Sequence, residues 1–297
     1  MAKWDGKSHA GLLGYKIFVL LLRYGGLLPA YFVLLFVSTY YYLFSIKSSK
    51  HIYKYLRNHI EFGFIKSIFT LYQNYFIFGQ TLVDRVAVIA GLSKKFSYDF
   101  EGEDYLHQMV KENKGGILIS AHIGNWEIAG HLLYRIKAKI HVVMHVAEHE
   151  KIKSYLEGVK GSNSMNVIVL KDDFSHIYEI SIALSKGEII CMHGDRYMPW
   201  SKKLCTDFLG KPANFPEGPF ALAVSMKVPV SYVFAMKESL THYQFSATKP
   251  IVYTASKLIS KHSLVLRALN EFKVEMEEKI KNHPVQWFNY YDFWSLN

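Results

Sequence analysis

Within ISAHIGNWEIAGHLL (residues 119–133), the imidazole of His122 precedes the carboxylate of Glu127 by five positions, with Asn125 between them. Imidazole titrates near neutral pH, so it can take a proton from a hydroxyl or amine as that group attacks a carbonyl. A carboxylate on the far ring nitrogen fixes the tautomer and stabilises the imidazolium that forms. Such a pair can catalyse direct acyl transfer between two bound substrates, with no serine or cysteine acyl-enzyme. On a continuous helix, positions five apart diverge by about 140°. His122 and Glu127 therefore converge only if His122 sits in the turn before a helix. Gly124 permits that turn, Asn125 can cap the helix, and Glu127 in the first turn meets the positive end of the helix dipole. Spacing alone favours a plainer role, a His and a Glu that merely cap a helix, so the rest of the chain has to decide.

Other chemistries find less support. The chain has 14 His but no HExxH, and His122 and His131 are nine apart, so no metal site is expected. Cys191 and Cys205 make neither a disulfide framework nor a metal-ligand spacing. A lipid hydrolase would call on Ser120 or Ser225, but no Gly-x-Ser-x-Gly elbow occurs. His131 and His193 read as ordinary polar residues, and Asp195 taken alone as a turn residue.

The elements that must position His122 follow from periodicity. GGILISA (115–121) is a short apolar strand, and a helix is expected over about 125–136. Further strands are expected at 140–146, 166–170, 188–194, 229–236 and 243–251. Helices are expected over 51–92, near 148–159, over 175–186 and over 258–282. Strands alternating with helices predict an α/β domain, a layered and mainly parallel sheet flanked by helices. No internal repeat or low-complexity linker interrupts it.

Residues 1–60 read differently, as a membrane-associated helical segment preceding a domain over 61–297. LLGYKIFVLLL (12–22) and the apolar run 29–46 are followed by Lys47, Lys50, Lys54 and Arg57. A helix over 29–46 would extend roughly 27 Å, marginal against a hydrocarbon core of about 30 Å. It could span, lie half-sunk, or be a core helix. By the positive-inside rule the following cations hold the remaining chain in the cytoplasm. The 35 Lys and Arg against 25 Asp and Glu leave a formal charge of +10, which favours anionic partners such as phospholipid headgroups or an acidic carrier. The cations are scattered and no nucleic-acid motif appears, so nucleic acid is not an expected partner.

Four blocks in order resemble the late acyltransferases of lipid A biosynthesis, a branch of the lysophospholipid acyltransferase superfamily. The first is His122-Ile-Gly-Asn-Trp-Glu127 after a strand, and the second is Gly-Asp-Arg at 194–196. The third is DFLGKPANFPEGPFALA (207–223), and the last is EEKIKNHPVQWFNYYDFW (277–294) with its Pro-x-Gln-Trp signature. The resemblance implies a glycerolipid acyltransferase-like domain on the cytoplasmic side of a bacterial inner membrane. It implies an acyl carrier protein or coenzyme A thioester as co-substrate, no metal or other cofactor, and an anionic lipid acceptor. His122 would be the base and Glu127 its partner. Asn125 and Asp195 would shape the site, Arg196 and Lys211 could hold phosphate or carrier charge, and Phe208, Gly210 and Pro212 would wall the acyl groove. Arg196 stands where the family commonly has Gln, and only Lys160 answers to an Arg usual after the second strand region. The acceptor therefore stays open between a lipid A precursor, a lysophospholipid, an aminolipid and a polyene pigment. A non-catalytic lipid-binding protein on the same fold is the alternative from another class.

Overall fold

In a computed structural model, residues 12–128, 133–145, 165–198 and 200–295 are described. The expected helix near 148–159, His131 and Lys160 lie outside them. The described residues open with four helices: α1 (Leu12–Gly25), α2 (Leu27–Phe44), α3 (Ile46–Asn58) and α4 (Phe64–Ala87). Pro29 falls in the first turn of α2, where its missing N–H costs nothing. α2 buries Leu27, Ala30, Tyr31, Leu34 and Ser38, a stripe at three- and four-residue spacing. The stripe packs with Val83 and Val86 of α4 in one apolar cluster. Its other side leaves Leu28, Phe32, Phe36, Tyr40, Leu43 and Phe44 exposed. By length and composition α2 could cross a membrane. The continuous helix expected over 51–92 is broken at residues 59–63, where Glu61 adopts φ 59°, so α3 and α4 separate there. The expected boundary at residue 60 falls in this break.

The rest is an α/β domain. Its strands are β1 (Ser97–Glu101), β2 (Gly116–Ser120), β3 (Ile140–His145), β4 (Met165–Leu170), β5 (Ile189–His193), β6 (Lys203–Phe208), β7 (Lys211–Pro216), β8 (Val230–Lys237) and β9 (His242–Ala247). Helices α5 (Glu103–Lys111), α6 (Ser175–Ser185), α7 (Gly218–Met226) and α8 (Lys261–Asn282) lie among them. Seven strands form one sheet in the order β1-β9-β8-β2-β5-β3-β4, while β6 and β7 form a separate hairpin. Every pairing in the large sheet is parallel except β8 with β9. Only four residues join those two strands, enough for a hairpin and too few for a crossover. Neither β1 nor the separate hairpin was expected from the sequence. β1 alternates between exposed and half-buried and carries Asp99 and Glu101, so it lacks the continuous apolar run of a central strand.

β2 is apolar and buried as far as Ile119, with both faces covered. Ile117 and Ile119 join Phe220 and Ala223 of α7 and Leu269, Phe272 and Met276 of α8 in the main core. Leu118 on the opposite face meets Leu106 and Met109 of α5. This double anchoring makes the C-terminal end of β2 a rigid platform, and His122 stands just past it.

Candidate active site

β2 and β5 are parallel neighbours with Ser120 opposite His193. Residues two positions beyond that pair, His122 and Asp195, therefore leave the sheet side by side. A hydrogen bond from Gly194 N–H to the Ser120 carbonyl (2.8 Å) extends the ladder to the point of departure. In open α/β sheets, the crevice beyond the carboxyl ends of the strands is where ligands bind.

The carboxylate on His122 Nδ1 is that of Asp195, where the sequence had suggested Glu127. Asp195 Oδ1 lies 2.9 Å from His122 Nδ1, and Oδ2 accepts the His122 backbone N–H at 3.1 Å. An acceptor at Nδ1 fixes the proton there and leaves Nε2 as the basic nitrogen. Asp195 is only 1% exposed. Burial would raise its pKa, but the charge and hydrogen bond of His122, with the charges of Arg196 and His193, outweigh it. They hold the carboxyl well below the usual carboxylate range.

Glu127 instead forms an ion pair with Arg85 near the end of α4. The reason is directional. The parallel register delivers Asp195 to the ring, while the helix opening at residues 126–128 turns Glu127 toward α4. Nothing in the local sequence announces Arg85, which lies 42 residues away. His193, read from sequence as an ordinary polar residue, has its ring centroid 4.2 Å from that of His122. Trp126 packs edge-on against both imidazoles, at 6.1 and 4.7 Å. The only sequence signal for His193 is its place two residues before Asp195 at the end of a strand.

The turn takes the form its residues suggest. Gly124 has φ 61°, and a Cβ there would lie 2.1 Å from the Ala235 carbonyl oxygen, so a side chain is excluded twice over. Asn125 donates its N–H to that same oxygen (2.8 Å) and caps the helix by accepting the Ile128 N–H on Oδ1 (3.2 Å). The Pro-x-Gln-Trp segment closes over the turn from the other side. Gly124 N–H donates to the Gln286 carbonyl (2.9 Å) and Phe288 N–H to the His122 carbonyl (3.2 Å), with Ile123 bridged to Trp287. Asn74 of α4 donates to the Val285 and Trp287 carbonyls, and Arg196 Nη2 to the Phe288 carbonyl at 3.0 Å. Arg196, expected to hold an anion, braces this clamp.

The remaining expected residues occupy the β6–β7 hairpin. Leu209 and Gly210 both have positive φ (50° and 79°), as a two-residue turn demands, and Gly210 adopts this without a Cβ penalty. Phe208 is fully buried among Phe215, Trp287, Phe293 and Trp294, so it backs the clamp from behind. Lys211 and Pro212 are exposed on β7.

By ligand type, His122, His193 and Asp195 could approach a metal, since one ligand atom from each lies within 4.8 Å of the others. Both Asp195 oxygens, however, already accept hydrogen bonds from His122. That arrangement suits a base better than a chelate.

A histidine held by a buried carboxylate at the carboxyl end of a parallel strand gives the site the form of an α/β enzyme's. The chain belongs to the bacterial lipid A biosynthesis acyltransferase family, whose model matches residues 71–294. A phosphatidylinositol mannoside acyltransferase of Mycobacterium tuberculosis is 25% identical over 134 residues, covering 45% of this chain and 42% of that protein. The alignment thus spans about two-fifths of that relative's length. The family match takes in every residue of the site, from α4 to the terminal clamp, and begins after α2 and α3.

Proposed function

We propose that this protein transfers a fatty acyl group from an acyl thioester, on acyl carrier protein or coenzyme A, to a hydroxyl or amine of a lipid at the membrane. His122 Nε2 takes the proton as the acceptor oxygen or nitrogen attacks the thioester carbonyl. The tetrahedral intermediate collapses, its carbon–sulfur bond breaks, and the departing thiolate receives the proton from the imidazolium. Asp195 keeps the ring oriented and stabilises the imidazolium. Glu127 and Arg85 place a charged pair beside the first turn of the helix, where Glu127 was expected to assist the base. The observation that carries the reading is the His122–Asp195 hydrogen bond at the end of the central strand. No cofactor beyond the thioester enters this scheme.

The acceptor is a lipid A precursor or a related anionic lipid, with lysophospholipid, aminolipid and polyene pigment as alternatives. The relative named for phosphatidylinositol mannoside brings a mannosylated phospholipid into the same range. The exposed apolar side of α2 and the exposed Lys47, Lys50, Lys54 and Arg57 along α3 support a site on the cytoplasmic face of a bacterial inner membrane. Membranes containing the protein, supplied with labelled acyl carrier protein thioester, should form one labelled lipid, and lipid profiling of a deletion strain should show that lipid missing. Release of free fatty acid in place of acylated lipid would favour a hydrolase. Lipid binding without either product would favour a non-catalytic protein.

A further inference from the structure

Behind the turn lies a buried charged cluster that the proposed mechanism does not use. Asp84 of α4 and Lys237 at the end of β8 form an ion pair at 2.5 Å, both buried. Lys237 Nζ also donates to the Leu240 carbonyl at 2.7 Å. Asp84 accepts two further hydrogen bonds, from the hydroxyls of Tyr31 of α2 and Tyr243 of β9. Tyr243 alone of these two reaches the site, because Asn125 Nδ2 donates to its hydroxyl oxygen at 3.0 Å. A buried ion pair is weak evidence for stability, since desolvation offsets much of the attraction. Its directional consequence is stronger.

Burial, then the Asp84 charge and hydrogen bond, keep the Tyr243 phenol protonated well above its ordinary range. Asp84 takes that proton's hydrogen bond, so the phenol oxygen can only accept on its other side. An acceptor there, closer than the Thr81 carbonyl that Nδ2 also reaches at 3.3 Å, selects the Nδ2 end of the Asn125 amide, which leaves Oδ1 directed at Ile128 N–H as the helix cap. With the amide reversed, the cap would lose its acceptor.

We propose that Tyr243 is a positioning residue of the catalytic turn: held by the Asp84–Lys237 pair, it orients Asn125 and through it the helix start beside His122. This inference rests on the reading of His122 as the base. Tyr31 supplies an internal control, because it makes the same type of hydrogen bond to Asp84 and none of the observed bonds to Asn125 is its own.

The test measures acyl transfer and thermal unfolding of the full-length protein in detergent for Tyr243→Phe, Asn125→Ser, the double variant and Tyr31→Phe. Asn125→Ser keeps a capping oxygen but removes the donor to Tyr243. Tyr243→Phe and Asn125→Ser should each lower kcat about tenfold with KM within about twofold, a modest share of the roughly hundredfold cost of a 1 Å misplacement. The double variant should be no slower than either single one, because the two act through one link. Tyr31→Phe should lower Tm comparably to Tyr243→Phe and leave kcat at the parent value. Three results would each overturn the inference: parent-like kcat in Tyr243→Phe, a multiplicative loss in the double variant, or an equal kcat loss in Tyr31→Phe. If Tyr243→Phe does not fold, Asn125→Ser decides alone, and parent-like kcat there is equally fatal. His122→Ala in the same assay separates the two levels. Parent-like activity of that variant removes the underlying reading, whereas an inactive His122→Ala beside an unaffected Tyr243→Phe removes only the role of Tyr243.

Discussion

His122 and Asp195 show how the proposed base would be assembled from ordinary parts. A lone imidazole in a turn would sample both tautomers. The buried carboxylate, fixed by the backbone N–H of the same histidine, leaves one. Asp195→Asn keeps the shape but can present an amide N–H to Nδ1, so acyl transfer should fall by about two to four orders of magnitude. The same variant should show a pH signature in thermal unfolding. The folded-state pKa of Asp195 lies below its unfolded value, so the ionised group stabilises the fold at neutral pH, and this contribution is lost as pH falls below about 4. The parent should therefore unfold at higher temperature than Asp195→Asn at pH 7, with the gap closing under acid conditions. A constant gap would mean that Asp195 acts by packing alone. Both residues of this dyad were legible in the sequence, but their partnership was not. It depends on the alignment of β2 with β5, two strands some seventy residues apart, and parallel register leaves no local mark. His193 was invisible as a site residue for the same reason, and Arg85 because it arrives from α4, 42 residues before Glu127.

At the level of elements, the strand–turn–helix around His122 was readable because its signals are local. An apolar run ends, a glycine follows, and a capping Asn opens the helix. Gly124 carries the sharpest prediction. Ala at this position combines positive φ with a methyl group driven into the Ala235 carbonyl, and strain of this kind costs about 1–3 kcal/mol before the clash is counted. Gly124→Ala should lower Tm by several degrees and abolish activity, whereas Gly63→Ala, with open space around its Cβ, should do neither. Equal behaviour of the two variants in a thermal melt and an acyl-transfer assay would contradict the turn geometry. The β6–β7 hairpin shows the opposite limit of legibility. Its residues were assigned to an acyl groove by resemblance, but Phe208 is fully buried behind Trp287 and its accessible neighbours Lys211 and Pro212 face outward. Those outward residues bear on chemistry only if substrate or carrier reaches that side. The long helix expected over 51–92 failed at Glu61, where a polar residue adopts a left-handed conformation that apolar periodicity does not register.

For the whole molecule, the question is how a lipid acceptor would reach His122, buried at the end of a sheet. α2 presents one side to α4 and leaves Phe32, Phe36, Tyr40 and Phe44 exposed on the other, and the cations of α3 follow directly. Each apolar side chain taken out of water contributes about 1.5–3 kcal/mol, against about 1 kcal/mol for each Lys or Arg near an anionic surface. Salt screens the second term and leaves the first. The protein should accordingly stay in the membrane fraction through high-salt and carbonate washes and leave it in detergent. Release by salt alone would place charge above apolar burial and return α2 to the role of a core helix. Composition and the order of segments made the apolar run of α2 readable, but α3 and α4 share the main core of the α/β sheet through Ile52, Leu56 and Leu71. The packing of α2 on α4, the helix that delivers Asp84 and Arg85 to the site, was not readable.

The central claim is that His122 is the general base for transfer of an acyl chain from a thioester to a lipid. The most direct measurement is the rate of labelled acyl transfer to lipid by His122→Ala, in membranes where its abundance and Tm match the parent. Positioned acid–base catalysis contributes about 10²–10⁴ in rate, so the variant should fall by that factor while its thermal stability stays within a few degrees. Transfer at the parent rate in a folded His122→Ala protein would contradict the account.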